Sequence, residues 1–241
     1  MKTQRQILYV SIIFILFCSS TYVTANEKNS PKIRSGEYLK SDYVDAIEKT
    51  HSPYAALNSS SEPALLKAYK GEYDLVLIHD FHEFHDGLKI MEDGKAHRME
   101  RKGEGSPAVS VTVDGDNLIL TGYDSNGPLH FIYVGNAQRF VAKKVLVGDY
   151  VDAEGKTYSF REDGTAYFGD VQFPYEVGLD FVLRPRSGKN KDKRDNFRNS
   201  KSRELFEYEI KDGVVYLYRT SGQEALDVEP EPFLKIKRAN R

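Results

Sequence analysis

The feature that most constrains this chain is the segment 148–168, GDYVDAEGKTYSFREDGTAYF, which holds two glycine turns, at 153–155 and 162–164. Between the turns, Tyr158 and Phe160 alternate with polar residues, and this period of two is typical of a β-strand. Glycine suits such turns because it takes positive φ without a Cβ clash. The segment therefore predicts a tight antiparallel β-meander.

The same pattern extends along most of the chain. The Asp-Gly pairs at 93–94, 114–115 and 212–213 are further turn signals. The composition, with 16 Tyr, 13 Phe and no Trp, favours strands. Strands are predicted at 72–79, 88–92, 96–101, 108–113, 117–123, 129–134, 156–161, 173–183, 204–210, 214–219 and 233–237. Short strands at regular spacing predict an all-β fold of antiparallel meander barrels or a sandwich, with a short N-terminal helical segment.

The pattern divides the chain into four parts. Residues 1–25 form a predicted signal peptide, and residues 26–70 a leader with short helices at 41–50 and 63–69. Strands begin at Gly71, so residues 71–147 form the first β-meander unit, and its last ten residues bridge to the next. Residues 148–241 form the second unit, which carries a basic loop at 184–203.

A weak internal repeat links the two units. Residues 71–73 read Gly-Glu-Tyr and residues 148–150 read Gly-Asp-Tyr, and each is followed by a strand and Glu-Asp-Gly-x-Ala. Each unit later carries another Asp-Gly hairpin, at 112–119 and 208–216. Two interpretations remain open: a duplication, or hairpins that converge on the same turn chemistry.

The second unit contains Gly148-Asp-Tyr150, the strand-turn-strand Tyr158-x-Phe160-x-x-Asp-Gly-Thr-Ala166, a hairpin over 208–217 and the closing strand 234–238. In these residues it resembles the small lipocalin-like, calycin-type β-barrel domains of secreted bacterial proteins. The resemblance covers the second half of the chain. It implies an up-and-down antiparallel barrel or half-barrel, in domains that are often without known activity.

The N-terminus predicts export. Lys2 and Arg5 precede an apolar run at 7–17, which is shorter than the roughly 20 residues of a membrane span, and small residues end a cleavage site at Ala25. The only cysteine, Cys18, follows Phe17 where a lipobox has a small residue, which disfavours lipidation. Residues 26–241 then contain no cysteine, which favours a bacterial periplasmic or secreted protein.

One cluster of potential metal ligands stands out: His79, His82, Glu83 and His85. Imidazoles and carboxylates bind divalent transition metals. Along one regular strand, however, His79 and His85 would lie about 20 Å apart, so a metal site requires a bend or a loop. The alternative is an aromatic and polar strand end that runs into the Asp86-Gly87 turn, with no cofactor.

The basic loop at 184–203 carries nine basic residues against two aspartates. One interpretation is an anion-binding loop for lipid headgroups, polysaccharide or another polyanion. The other is a solvated excursion between two strands, because such a composition does not bury a core. The candidate anion-binding residues are Arg184, Arg186, Lys191, Lys193 and Arg194.

The sequence offers no catalytic constellation. It contains no Gly-x-Ser-x-Gly elbow, and its acidic residues occur largely at turns that explain them. The net charge of −2 does not call for nucleic acid. We therefore expect an exported, non-enzymatic β-barrel protein that binds a small apolar or anionic ligand or an envelope component, or that has a structural role. The alternatives are a metal-binding protein that uses the histidine cluster, and an unrecognised hydrolase.

Overall fold

The chain folds into two closed, antiparallel, eight-stranded β-barrels, and its described residues also form three short helices. The structure, a computed structural model, describes residues 32–60, 64–69, 74–80, 84–91, 95–98, 108–124, 126–179, 194–221 and 227–239. The predicted all-β class and the antiparallel barrels are thereby confirmed. The predicted signal peptide, at 1–25, lies outside the described residues.

The first barrel is a meander in which each strand pairs with the next. Its strands are β1 Gly36–Lys40, β2 Leu65–Ala68, β3 Leu75–Asp80, β4 Phe84–Ile90, β5 Lys95–Arg98, β6 Val109–Asp114, β7 Asn117–Asp124 and β8 Gly127–Gly135. The ring closes because β1 also pairs with β8, with Leu39 opposite Ile132. Two helices, α1 Ser41–Thr50 and α2 Pro53–Ser59, are inserted between β1 and β2, and α3 Ala137–Val145 follows β8.

The second barrel repeats this meander. Its strands are β9 Gly148–Val151, β10 Thr157–Phe160, β11 Thr165–Phe168, β12 Val171–Val177, β13 Asp195–Asn199, β14 Leu205–Lys211, β15 Val214–Ser221 and β17 Leu234–Arg238, and the two-residue strand β16 Asp227–Val228 pairs only with β15. The ring closes where β17 pairs with both β15 and β9. The barrel predicted from the resemblance is therefore observed.

The turn around Gly164 differs from the two-residue type I′ turn that Asp-Gly suggests. The Arg161 amide donates to the Thr165 carbonyl at 2.8 Å, and the Gly164 amide donates to Arg161 at 3.1 Å. Gly164 has φ +84° while Asp163 does not have positive φ, so this is a three-residue loop with one left-handed residue. The type I′ geometry occurs instead at Asp212-Gly213, where both φ values are positive.

Three segments before and between the barrels depart from the sequence prediction. Strands begin at Gly36 rather than Gly71, so β1 and β2 come from the segment assigned to a leader and short helices. The helical turn predicted at 63–69 was wrong, because Leu65–Ala68 pairs with β1 and β3. The bridge at 138–147 is largely helix α3, whose buried Ala137, Val141 and Val145 recur every four residues. The helix predicted at 41–50 is confirmed by α1.

Each barrel encloses its own apolar side chains. The first barrel is filled mainly by leucines and other aliphatic residues. Tyr38 and Phe131 are its buried aromatic residues, and the partly buried Tyr123 and Tyr133 pack against it. The second barrel is filled mainly by rings. Phe160, fully buried, makes edge-to-face contacts with Tyr150, Tyr175 and Phe197, with ring centroids 5.1–6.0 Å apart. The many aromatic residues of the sequence are therefore concentrated in one core.

The helices belong to the core of the second barrel. Buried residues of α1, α2 and α3 form one continuous apolar cluster with Tyr150, Phe160 and Phe197. The outer faces of β1, β2 and β3 join the same cluster through Leu39, Leu65 and Val76. The two barrels thus share an apolar interface in which the inserted helices take part.

The structure also revises the internal repeat. Tyr38, in β1, donates its hydroxyl to the carbonyl of residue 34, and Tyr150, in β9, donates to the carbonyl of residue 146, both at 2.6 Å and both four residues back. The equivalent of 148–150 is therefore 36–38, also Gly-acid-Tyr; the alignment with 71–73 was wrong in register, and 71–73 lies outside the described residues. The Asp-Gly hairpins do correspond, because each joins the sixth and seventh strands of its barrel.

Candidate functional site

A polar groove lies between helix α3 and the second barrel. It has a volume of about 260 Å³. The first half of α3, the loop at 162–164, β12 and Ser200 line it. Asn136 positions the helix, because its side chain accepts from the Arg139 amide at 2.9 Å, and Glu37 of β1 accepts from the Ala137 amide at 2.7 Å. The first barrel therefore fixes the start of this wall of the groove.

Donors and acceptors alternate around the groove. Arg139 of α3 is a donor, and the amides of Asn136, the N-cap, and Gln138 both donate and accept. Glu162, Asp163 and Glu176 are carboxylates on the opposite wall. Two of these carboxylates already have partners. Glu162 forms an ion pair with Lys143 at 3.0 Å, and Asp163 accepts from the Thr165 amide at 2.9 Å. Ala142, Pro174 and Val177 add apolar surface.

A second polar cluster lies at the end of the second barrel where β9 and β13 begin. Asp195, 7% exposed, accepts a 2.7 Å hydrogen bond from the Tyr54 amide of α2. Burial raises the pKa of the Asp195 carboxyl to about 6, against the lowering effect of hydrogen bonds from Tyr54 and the Ser52 hydroxyl. Burial also raises the pKa of Tyr43 and Tyr208, and the nearby Asp195 charge raises both further.

The interior of the second barrel is packed with aromatic side chains. Phe160, Phe197 and Tyr208 are fully buried inside it, and Phe173 and Phe206 are at most 8% exposed. Packed rings fill an eight-stranded barrel, whose interior is only just wide enough for side chains. The groove on the outside is a concave feature that described residues line and that a ligand could reach.

The structure describes only part of the predicted metal cluster. His79 lies in β3 and His85 in β4, and only their backbone is described; His82 and Glu83 lie outside the described residues. The two strands form a hairpin in which Ile78 pairs with His85 and Asp80 with Phe84. His79 and His85 are thus on neighbouring strands rather than at the ends of one. Within the part of the chain that is described, no three His, Cys, Asp or Glu side chains come together.

The predicted anion-binding loop is described only from Arg194 onward. Arg184, Arg186, Lys191 and Lys193 lie outside the described residues. The Arg194 guanidinium lies 3.7 Å from the centroid of the Tyr218 ring and 4.0 Å from the Glu207 carboxylate, and its side chain is 10% exposed. Arg194 is therefore a buried residue packed on β14 and β15, which was not expected of a solvated loop.

The groove residues were not singled out in the sequence, and the reason is geometric. Asn136, Arg139 and Glu176 are ordinary polar residues that lie far apart in the chain and meet only through the packing of α3 against β12. The local signal that could have indicated them is Asn136, a favoured N-cap residue before a helical stretch. That signal predicts a helix start but not the groove beside it.

Comparisons with known proteins returned no match, whether to a family, to a curated protein or to a solved structure. The barrel expected from the lipocalin-like resemblance is observed, while a relationship to that group stays a prediction. No helix within the described ranges is long and apolar enough to cross a membrane.

Proposed function

We propose that this chain is an exported, non-enzymatic binding protein that holds a small hydroxyl-rich ligand, such as a saccharide unit of an envelope glycan, in the groove beside α3. The observation that carries the proposal is the combination of a ring-filled barrel with an external groove of mixed donors and acceptors. The barrels serve as rigid scaffolds, and recognition takes place on the outside.

The groove chemistry supports a hydroxylated ligand rather than an apolar one. A saccharide hydroxyl both donates and accepts, so it can bridge the Arg139 guanidinium on one wall and the Glu176 carboxylate on the other. Pro174 and Ala142 provide apolar area for the face of a sugar ring. Small ligand sites generally combine apolar walls with a few placed polar groups.

The partners of the acidic residues favour binding over catalysis. Glu162 forms an ion pair with Lys143, and the Asp163 carboxylate stabilises its own turn by accepting from the Thr165 amide. General acid-base catalysis by two carboxylates requires both to face the reacting bond. Residues with structural partners are less suited to that role.

A panel of a neutral glucan, an amino-sugar oligomer and a uronic-acid oligomer, titrated by calorimetry, tests the binding proposal. We expect one probe to bind, and Arg139→Ala and Glu176→Ala each to weaken its binding about tenfold, which corresponds to about 1.4 kcal/mol. Lys237→Ala, on the exposed side of β17, is the matched control and should bind as the parent chain does. If none of the three probes binds, or if Lys237→Ala weakens binding as much as the groove variants do, the groove is not the binding site.

Two further measurements test the remaining parts of this proposal. Mass spectrometry of the exported protein should give an N-terminus at Asn26, and retention of residues 1–25 would contradict cleavage after Ala25. A hydrolase screen against the same oligomers should show no turnover. Robust turnover that a single substitution in the groove abolishes would make the chain an enzyme.

The β3–β4 hairpin favours a second candidate function, metal binding. Its register pairs Ile78 with His85, so that His79 and His85 lie on adjacent strands rather than far apart along one strand. Metal analysis after dialysis against zinc should give about one equivalent, reduced by His79→Ala or His85→Ala. The control is His130→Ala, an exposed histidine of β8. Substoichiometric zinc in the parent chain would remove this candidate.

A further inference from the structure

The groove beside α3 is too small to hold a glycan chain of several units. Its volume of about 260 Å³ lies below the range of about 300–1,000 Å³ that is usual for sites enclosing a drug-sized molecule. One part of such a chain therefore lies in the groove, and the remaining units leave it. Because α3 forms one wall, these units continue over the outer surface of the second barrel.

The outer face of β9, β10, β11 and β12 begins at the groove. Pro174 lines the groove and points outward from β12, because its chain neighbours Phe173 and Tyr175 are buried in the barrel core. Gln172 lies two residues before Pro174 and is exposed on the same face. Residues i and i+2 of a strand are about 7 Å apart, so Gln172 is the next side chain along this face.

Gln172 belongs to a row of four side chains that crosses these strands at one level. The ladders pair Gln172 with Tyr167, and Tyr167 with Ser159. Ser159 pairs in turn with Asp149. Neighbouring strands are about 4.8 Å apart, so the row is roughly 14 Å long. The surface that begins at the groove is thus long enough for more than one sugar unit.

Tyr167 is the exposed aromatic residue of this row. It is 37% exposed, whereas its neighbours on β11, Ala166 and Phe168, face the aromatic core. A tyrosine on the outside of a barrel offers apolar ring surface together with a hydroxyl that donates and accepts. Both properties match a sugar ring, whose C–H groups form an apolar face and whose hydroxyls lie around its edge.

The charges around Tyr167 favour a neutral chain over an acidic one. Asp149 forms an ion pair with Arg161 at 3.0 Å, so this pair adds no net charge. The other way out of the groove passes over β13 and the turn after it, where Arg198 and Lys201 are exposed. An acidic chain would follow these two cations, and a neutral chain would follow Tyr167.

We propose that the outer face of β9–β12, centred on Tyr167, is a second subsite, which binds the following units of a neutral glycan chain held in the groove. This inference rests on the proposed function, because the groove holds one part of the same chain. Tyr167 packs against a sugar ring, and the Gln172 amide bonds to hydroxyls between Tyr167 and the groove. The protein therefore prefers an oligomer to a short saccharide, and Tyr167 is the source of that preference.

Calorimetric titration with the dimers and hexamers of glucose, N-acetylglucosamine and glucuronic acid tests the subsite. We expect the hexamer of a neutral sugar to bind about tenfold more tightly than its dimer. Tyr167→Ala should remove this preference and leave dimer binding unchanged, which also shows that the variant is folded. Tyr167→Phe should keep most of the preference because it keeps the ring. Tyr69→Ala, at an exposed tyrosine of the first barrel, is the matched control and should bind both oligomers as the parent chain does.

Arg139→Ala separates this inference from the proposed function, because it alters the groove alone. If Arg139→Ala weakens the binding of a dimer while Tyr167→Ala leaves the hexamer preference intact, the groove stands and the subsite is refuted. If only the acidic hexamer gains affinity and Arg198→Ala abolishes the gain, the chain leaves over β13 and the subsite is refuted. If Tyr167→Ala weakens hexamer binding and Arg139→Ala does not, the subsite is supported and the groove is refuted. Binding of no oligomer would overturn both.

Discussion

Replacing Gly164 by valine tests the turn geometry at the centre of the second barrel. Gly164 has φ +84°, and a Cβ there would lie 3.4 Å from the Tyr175 carbonyl oxygen. Gly155 is a matched control, because it has φ +82° in the same kind of three-residue loop and a Cβ there meets nothing within 4 Å. The pair separates backbone strain from the added contact.

The expected magnitudes follow from these geometries. A β-branched residue in the left-handed region costs about 1–3 kcal/mol, and this cost applies to both variants. At Gly164 the turn cannot shift freely, because its carbonyl accepts from the Tyr175 amide at 2.8 Å. Breaking that hydrogen bond costs about 0.5–1.5 kcal/mol more. Gly164→Val should therefore lose more stability than Gly155→Val.

Thermal denaturation followed by near-ultraviolet circular dichroism measures both variants, since the signal comes from the rings of this barrel. A loss of 1 kcal/mol lowers the Tm of a domain of this size by about 4–8 °C. Gly164→Asn should recover part of the loss, because asparagine tolerates the left-handed region. If Gly164→Val has the same Tm as the parent chain, the positive φ of Gly164 is refuted. If Gly164→Val and Gly155→Val lower the Tm equally, the hydrogen bond from the Tyr175 amide contributes nothing to the difference.

Three further changes test the packing, and urea denaturation measures each of them. Phe197→Ala should cost about 3–5 kcal/mol, because it leaves a cavity beside Phe160, and a loss below 1 kcal/mol would contradict the packed core. Tyr150→Phe should cost about 1 kcal/mol through its hydrogen bond to the carbonyl of residue 146, and no loss would show that this bond contributes nothing. Glu37→Ala should cost about 0.5–2 kcal/mol by freeing the first amide of α3, and unchanged stability would argue against that cap.

The strands that the sequence predicted well are those joined by short turns. Strands β6, β7, β14 and β15 were placed within a residue or two, because their turn signals are local. Strands β1 and β2 were missed because a helical insertion separates them, and their pairing depends on contacts distant in sequence. Helix α3 was predicted only as a bridge between the units, although its buried Ala137, Val141 and Val145 recur at helical spacing.

Whether a candidate site could be found in the sequence also depended on how close its residues are along the chain. The histidine cluster and the basic loop were visible because their residues adjoin in sequence. The groove and the contact between Asp195 and α2 were not visible in the sequence, because each joins elements from distant parts of the chain. Tyr54 and Asp195, for example, are 141 residues apart. Asp195 is one of the two aspartates of the predicted basic loop, and nothing in the sequence there indicated its burial.

The two barrels have the same strand order, and in each a tyrosine of the first strand, Tyr38 or Tyr150, bonds to the carbonyl four residues back. They differ in the connection between their first and second strands. In the second barrel β9 and β10 are joined by a turn at 152–156, whereas the equivalent strands β1 and β2 enclose helices α1 and α2. The buried residues of this insertion do not pack into the core of the first barrel, to which it is joined. They belong to the core cluster of the second barrel. The first barrel therefore provides the framework that carries a helical cover for its neighbour. Asp195 of β13, which accepts a hydrogen bond from the Tyr54 amide of α2, is one polar attachment of that cover.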